Sequence, residues 1–308
     1  MSPEHRPGFG SMFRDYLELL KLSAVDWWND NTFRLAASLA FYTVFSLAPI
    51  IIIATAVAAM IVGETVAHRT LVNEIDGLVG EAGALAVSDV LKSADASSRT
   101  WLATLFGLLG LMVGSTAAFI ELQAALNEIW DVRAAPEGTR MIRKLLMDRL
   151  VSFTLVVGVG FLLLVSLVIS AILAGAEEAL NIWLPMAWVW WSANIVVSFL
   201  VVTGIFMAVY KVLPDVKITW RDVAVGAAVT ALLFSGGKYL IGLYLGKMSV
   251  GSTYGAAGSF VVLLIWIYYS ALICFFGAEF TQVYARRYGS QIRPNSQAVR
   301  IGEKSDVA

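Results

Sequence analysis

Six long apolar stretches, near 35–62, 101–126, 150–175, 188–210, 223–245 and 256–278, limit what this chain can fold into more than any other feature. Each exceeds the ~20 residues that a helix needs to cross a hydrocarbon core about 30 Å thick. A backbone in lipid must satisfy its own hydrogen bonds, and stretches of this length do so as helices. The charged fraction is 15%, against about 25% for a soluble domain. Buried helices of a soluble protein would be shorter and would keep a polar face. The expectation is an all-α polytopic membrane protein, a six-transmembrane-helix bundle over 35–278 that uses nearly the whole length.

A net charge of −1 conceals a strong asymmetry along the 308 residues. Basic residues gather in the N-terminal arm (Arg6, Arg14, Lys21, Arg34) and the second connection (Arg133, Arg140, Arg143, Lys144, Arg149). They recur in the fourth connection (Lys211, Lys217, Arg221) and the tail (Arg286, Arg287, Arg293, Arg300, Lys304). The alternate connections carry only Arg69, Lys92, Arg99 and Lys247. Positive charge marks the cytoplasmic side, so both termini are expected in the cytoplasm of a protein of the inner membrane. An even number of crossings agrees. Trp27, Trp28, Trp101, Trp130, Trp183, Trp188, Trp190, Trp191 and Trp220 fall near the ends of spans, as an interfacial belt would place them.

Within the arm, residues 1–34, Phe13, Tyr16, Leu17, Leu20 and Ala24 recur at helical spacing between charges. They predict an amphipathic helix on the cytoplasmic surface. The outward connection 63–100 is acidic and carries helical periodicity from Val66 to Val79, with Gly77, Gly80 and Gly83 expected to break it. Residues 279–308 are expected to be a cytoplasmic tail, largely disordered because it is polar and aperiodic.

Several residues inside the spans could carry chemistry. Pro49 predicts a kink in the first span, and Ser38, Tyr42 and Ser46 form a polar stripe ending at it. The stripe either lines a pathway or bonds across helices. Glu121 shares a small-residue face with Gly107, Gly110, Gly114, Ala117, Ala118, Ala125 and Glu128. Counting from Trp101, it lies near the cytoplasmic boundary, as a gate or as an interfacial cap. Lys238 sits deeper, on a face with Ala231, Ser235 and Gly242, and either snorkels or presents a cation to a ligand. The glycine-rich run around Tyr254 and Gly255 is either a turn or a re-entrant loop. Glu279 ends the sixth span much as Glu121 ends the second, so the two acids read as a proton or cation site or as two caps.

Enzyme chemistry finds little support. His5 and His68 are expected on opposite sides of the membrane, and Cys274 is the lone cysteine. No thiolate or zinc cluster follows from that inventory, and no G-x-x-x-x-G-K-[ST] phosphate loop occurs. No catalytic residue, metal or cofactor is expected. Topology already explains the basic cluster Arg140–Arg149, so no nucleic-acid partner is expected. The small-residue faces would serve packing within one chain or between copies in a homo-oligomer.

Ala36-Ala37-Ser38-Leu39-Ala40-Phe41-Tyr42 through Pro49, and Gly114-Ser115-Thr116 through Asn127-Glu128-Ile129-Trp130, resemble stretches of the YihY/BrkB family of bacterial inner-membrane proteins. So do Tyr210-Lys211-Val212-Leu213-Pro214-Asp215, Trp220-Arg221-Asp222, Tyr254-Gly255-Ala256-Ala257-Gly258 and Leu264-Ile265-Trp266-Ile267-Tyr268-Tyr269 with Gly277-Ala278-Glu279. The resemblance implies a six-span envelope protein whose relatives have been labelled a serum-resistance virulence factor and a ribonuclease (the BN label). It marks Tyr42, Pro49, Glu121, Asn127, Asp215, Tyr254, Gly255 and Glu279 as motif positions without roles. The expected function is a secondary transporter or lipid-translocating, envelope-maintenance protein without its own ATPase. Its partners would be membrane lipids and a small-molecule, ion or lipid substrate. The alternative is a scaffold for envelope proteins.

Overall fold

A computed structural model describes residues 9–44, 55, 59, 63–79, 84, 85, 88, 91, 92, 117–134, 187–247, 258–289, 292–295 and 298–300. The chain divides into two compact units, residues 1–31, 124–232 and 274–308 forming one and residues 32–123 and 233–273 the other. Among the described residues the structure is mostly helical: α1 (Phe9–Asn29), α2 (32–44), α3 (Glu64–Val79), α4 (117–129), α5 (Ala187–Val212), α6 (Trp220–Lys247) and α7 (Gly258–Tyr288). Two segments, Ser192–Val212 of α5 and Phe260–Tyr288 of α7, are long and apolar enough to cross a membrane. The α5 segment leaves most of its length outside the protein's own core, unlike the buried central helix of a soluble protein. Most of the second stretch, all of the third, and the positions Ser46, Pro49, Tyr254 and Gly255 lie outside the described residues.

In the first unit α1 packs antiparallel to the end of α7. Leu19 meets Phe280 and Val283, flanked by Val225, Val229 and Tyr284, and the rings of Trp27 and Phe276 meet edge to face at 6.2 Å. Arg287 pairs with Glu18 at 2.8 Å and reaches Asp15 at 4.0 Å. The buried face of α1 therefore runs through Leu19 and Ser23, while Tyr16, Leu17, Leu20 and Trp28 point outward. The apolar stripe expected from the sequence is present on this helix, but it is not the face that meets the protein.

The contact between α6 and α7 rests on one motif used twice. Gly226-Ala227-Ala228-Val229-Thr230 and Gly277-Ala278-Glu279-Phe280-Thr281 each place threonine four residues after glycine. Thr230 Oγ1 donates to the Gly226 carbonyl at 2.7 Å, and Thr281 Oγ1 to that of Gly277 at 2.7 Å. Each threonine sits on the other helix's glycine: a Cβ at Gly226 would come within 1.8 Å of Thr281 Oγ1, and one at Gly277 within 1.8 Å of Thr230 Oγ1. Small residues give the close approach, and each hydroxyl stays satisfied on its own helix. Tyr210 Oη joins α5 to this contact by donating to the Cys274 carbonyl at 2.7 Å.

Two short antiparallel ribbons complete the unit. β1 (Val132–Ala134) pairs with β4 (Ala298–Arg300) in the register Val132↔Arg300, Arg133↔Val299, Ala134↔Ala298. β2 (Val216–Lys217) pairs with β3 (Arg293–Pro294), Val216 opposite Pro294. Over 292–300 this corrects the expectation of a disordered tail. The tail folds back because Ile292 and Ala298 find buried places and the backbone finds strand partners in both cytoplasm-expected connections.

In the second unit α2 buries Leu35, Ala36, Leu39, Ala40 and Val44. Ala40 and Val44 pack with Ile267, and Leu263, Leu264, Trp266 and Tyr268 lie against them. Phe234 and Trp266 meet edge to face at 6.0 Å. Gly63, at φ +84°, precedes α3 in a conformation that suits glycine. Gly77 does not break α3, which continues to Val79.

Candidate functional site

Glu279 is 0% exposed, and among the described residues neither of its carboxylate oxygens accepts a hydrogen bond from an N–H or hydroxyl donor. Gly277 and Thr281 face α6, so Glu279, midway between them, lies on the opposite side of α7, and it is buried there. Burial of a polar group without a partner costs about 1–3 kcal/mol, and more if it is charged. Among the described residues, the groups that act on it electrostatically are Asp30, Asp26 and Arg286, two acids and one base.

Asp30 comes to this place because α1 ends beside it. Asp30 N–H donates to the Asp26 carbonyl at 2.9 Å, closing the last turn, and Asn31 then takes φ 53°, the left-handed conformation that stops a helix. Burial raises the pKa of the half-buried Asp30 above the ordinary aspartate value. Glu279 favours its ionised form, while the negative charges of Asp131, Asp26 and Glu128 raise the pKa further.

Asp131 is held by the end of α4. It too takes a positive φ, 55°, just past the helix, and it accepts hydrogen bonds from Arg286 Nη2 and, at 3.3 Å, from Gln282 Nε2. Gln282 Nε2 also donates to the Ile129 carbonyl at 2.7 Å. Trp130 Nε1 donates to the Ala278 carbonyl at 3.2 Å, next to Glu279. Trp130 is thus buried and pinned within the unit, whereas Trp28, Trp188 and Trp220 are exposed.

Asn127 serves a different purpose. Its Nδ2 donates to Asp215 Oδ2 at 3.1 Å and its Oδ1 accepts from the Asp215 N–H at 2.8 Å. Asn295 closes the other side of Asp215: its N–H donates to the Asp215 carbonyl at 2.9 Å and its Nδ2 to Oδ1 at 3.3 Å. Asp215 is therefore a clasp between α4, the α5–α6 connection and the returning tail. These bonds occupy both ends of the Asn127 amide, so its geometry is that of a structural tie.

The remaining candidates are less enclosed. Ser38 is half-buried and Tyr42 is exposed on α2, beside the buried line and not on it. Glu121 is half-buried on α4 in the second unit. Lys238 lies on α6, with its side chain outside what is described. The acids found around Glu279 and Asp30 belong to α1 and to the end of α4, and of these only Glu128 drew notice in the sequence. Among the described residues, no group of three or more His, Cys, Asp or Glu side chains is arranged to hold a metal ion.

The profile of the virulence factor BrkB family matches residues 24–302. A UPF0761 membrane protein of Pseudomonas paraeruginosa (strain DSM 24068 / PA7) is 28% identical over 281 residues, covering 86% of this chain and 62% of that protein. One from Rhodospirillum centenum (strain ATCC 51521 / SW) is 27% identical over 276 residues, covering 87% of this chain and 57% of that protein. A third, from Psychrobacter sp. (strain PRwf-1), is 25% identical over 268 residues, covering 86% of this chain and 48% of that protein. The chain thus spans less than two thirds of the length of these relatives. No solved structure matches it.

Proposed function

We propose, for a membrane protein that belongs to the virulence factor BrkB family, the role of a secondary transporter or lipid-translocating protein of the inner membrane. It would cross six times with both termini in the cytoplasm, perform no covalent catalysis, and draw on a gradient in place of its own ATPase. The observation that carries this reading is Glu279, an ionisable side chain wholly buried in an apolar helix, with no N–H or hydroxyl donor on either oxygen among the described residues. Intramembrane ionisable residues are costly and commonly mark ion or substrate pathways. The charge asymmetry along the sequence supports the orientation.

Reconstituted vesicles test the role. Wild type should accelerate transbilayer movement of a fluorescent phospholipid, or uptake of a labelled solute, and Glu279→Gln should abolish the acceleration. Glu121→Gln and Lys238→Met test the other two ionisable candidates. Background rates for wild type with every probe would overturn the reading. The outward apolar face of α5, which includes Trp188, Val196 and Leu200, supports a second reading, a scaffold that binds other envelope proteins.

A further inference from the structure

We propose that Glu279 and Asp30 form a proton-binding site, one proton held between two carboxyls where α1 ends against α7. Glu279 has no exposed surface and, among the described residues, no N–H or hydroxyl donor on either oxygen. A carboxylate in that position needs a countercharge, a donor or a proton. The nearby cation, Arg286, is committed to Asp131. Among the described residues, the other charged groups acting on the pair are acids: Asp26 from α1, and Glu128 and Asp131 from the end of α4. Two neighbouring carboxyls among further acids cannot both ionise cheaply, so they titrate as a unit holding one proton. The described acids are not arranged as a metal cage.

Asp30 cannot withdraw by fraying, because the Asp26 carbonyl and the left-handed Asn31 hold the last turn of α1. The ring contact of Trp27 with Phe276 anchors the same turn one helical step away. Loss of the proton breaks one O–H bond and passes the proton to water, leaving two like charges at this joint. The site deepens the transport reading by naming the coupling ion. The binding itself does not depend on that reading.

The test is an infrared pH titration of the full chain in lipid nanodiscs, following the carbonyl band of protonated carboxylic acid. Wild type should show a band in neutral buffer that Glu279→Gln lacks. Asp30→Asn should keep the band but lose it at lower pH, because a neighbouring negative charge has been removed. No wild-type band at neutral pH, or an Asp30→Asn titration that matches wild type, would overturn the site. A band that falls with added sodium chloride at fixed pH would give the site to a metal cation. If Glu279→Gln does not fold, wild type and Asp30→Asn still decide the matter. A normal titration with background vesicle flux would overturn transport while leaving the proton site standing.

Discussion

At the scale of single residues, the helical glycines separate into two kinds of position. A methyl group at Gly277 would strike Thr230 Oγ1 at 1.8 Å, whereas one at Gly236 meets nothing within 4 Å. Gly277→Ala should lower stability by about 1–3 kcal/mol through overpacking. Gly236→Ala should be neutral, or should gain up to about 1 kcal/mol from helix propensity. Detergent-solubilised thermal melts of the two variants check this. Asp30 supplies a pH prediction. Because its pKa is raised, the folded state binds more protons than the unfolded state between the ordinary value, 3.8, and the raised one. Its contribution to stability is present below the ordinary value and is lost as pH rises through the raised one. The midpoint of Asp30→Asn relative to wild type should therefore improve from mildly acid to neutral pH, and an unchanged difference would contradict this. Glu279 was legible in the sequence as an acid in an apolar run. Its neighbours were not, because Asp30 and Asp26 reach it only through the packing of α1 on α7. The sequence suggested Glu121 as its partner because the two have similar expected depths, and depth does not report which helices touch.

At the scale of elements, the returning tail sets how the cytoplasm-expected connections are held. Asn127→Ala removes both bonds to Asp215 and should cost about 1–3 kcal/mol, since it leaves a part-buried carboxylate and N–H short of partners. Truncation after Gly289 removes β3 and β4 and should speed amide exchange in Val132–Ala134 and Val216–Lys217. Hydrogen exchange read by mass spectrometry checks this, and unchanged rates in both strands would contradict the pairing. Helices were readable from hydropathy because each carries its own signal along the chain. These ribbons were not: β2 and β3 are two residues each, and a ribbon that short exists only where its partner arrives. Helix α1 shows the same limit from the other side. Its periodicity revealed a helix and an apolar stripe, but Leu19 and Ser23, not the stripe, meet the protein.

At the scale of the whole molecule, the proposal combines six crossings, cytoplasmic ends and proton-linked transport. A reporter that matures only in the cytoplasm should be active at either terminus, and inactive when placed in the connection 63–100. The most direct test of the central claim is the decay of an imposed pH gradient, followed by an entrapped dye, in vesicles of bacterial lipid extract. Such vesicles present lipid substrates in their own bilayer. Wild type should discharge the gradient faster than protein-free vesicles, and Glu279→Gln should return the decay to their rate. Wild-type vesicles that hold the gradient as long as protein-free ones would contradict the account.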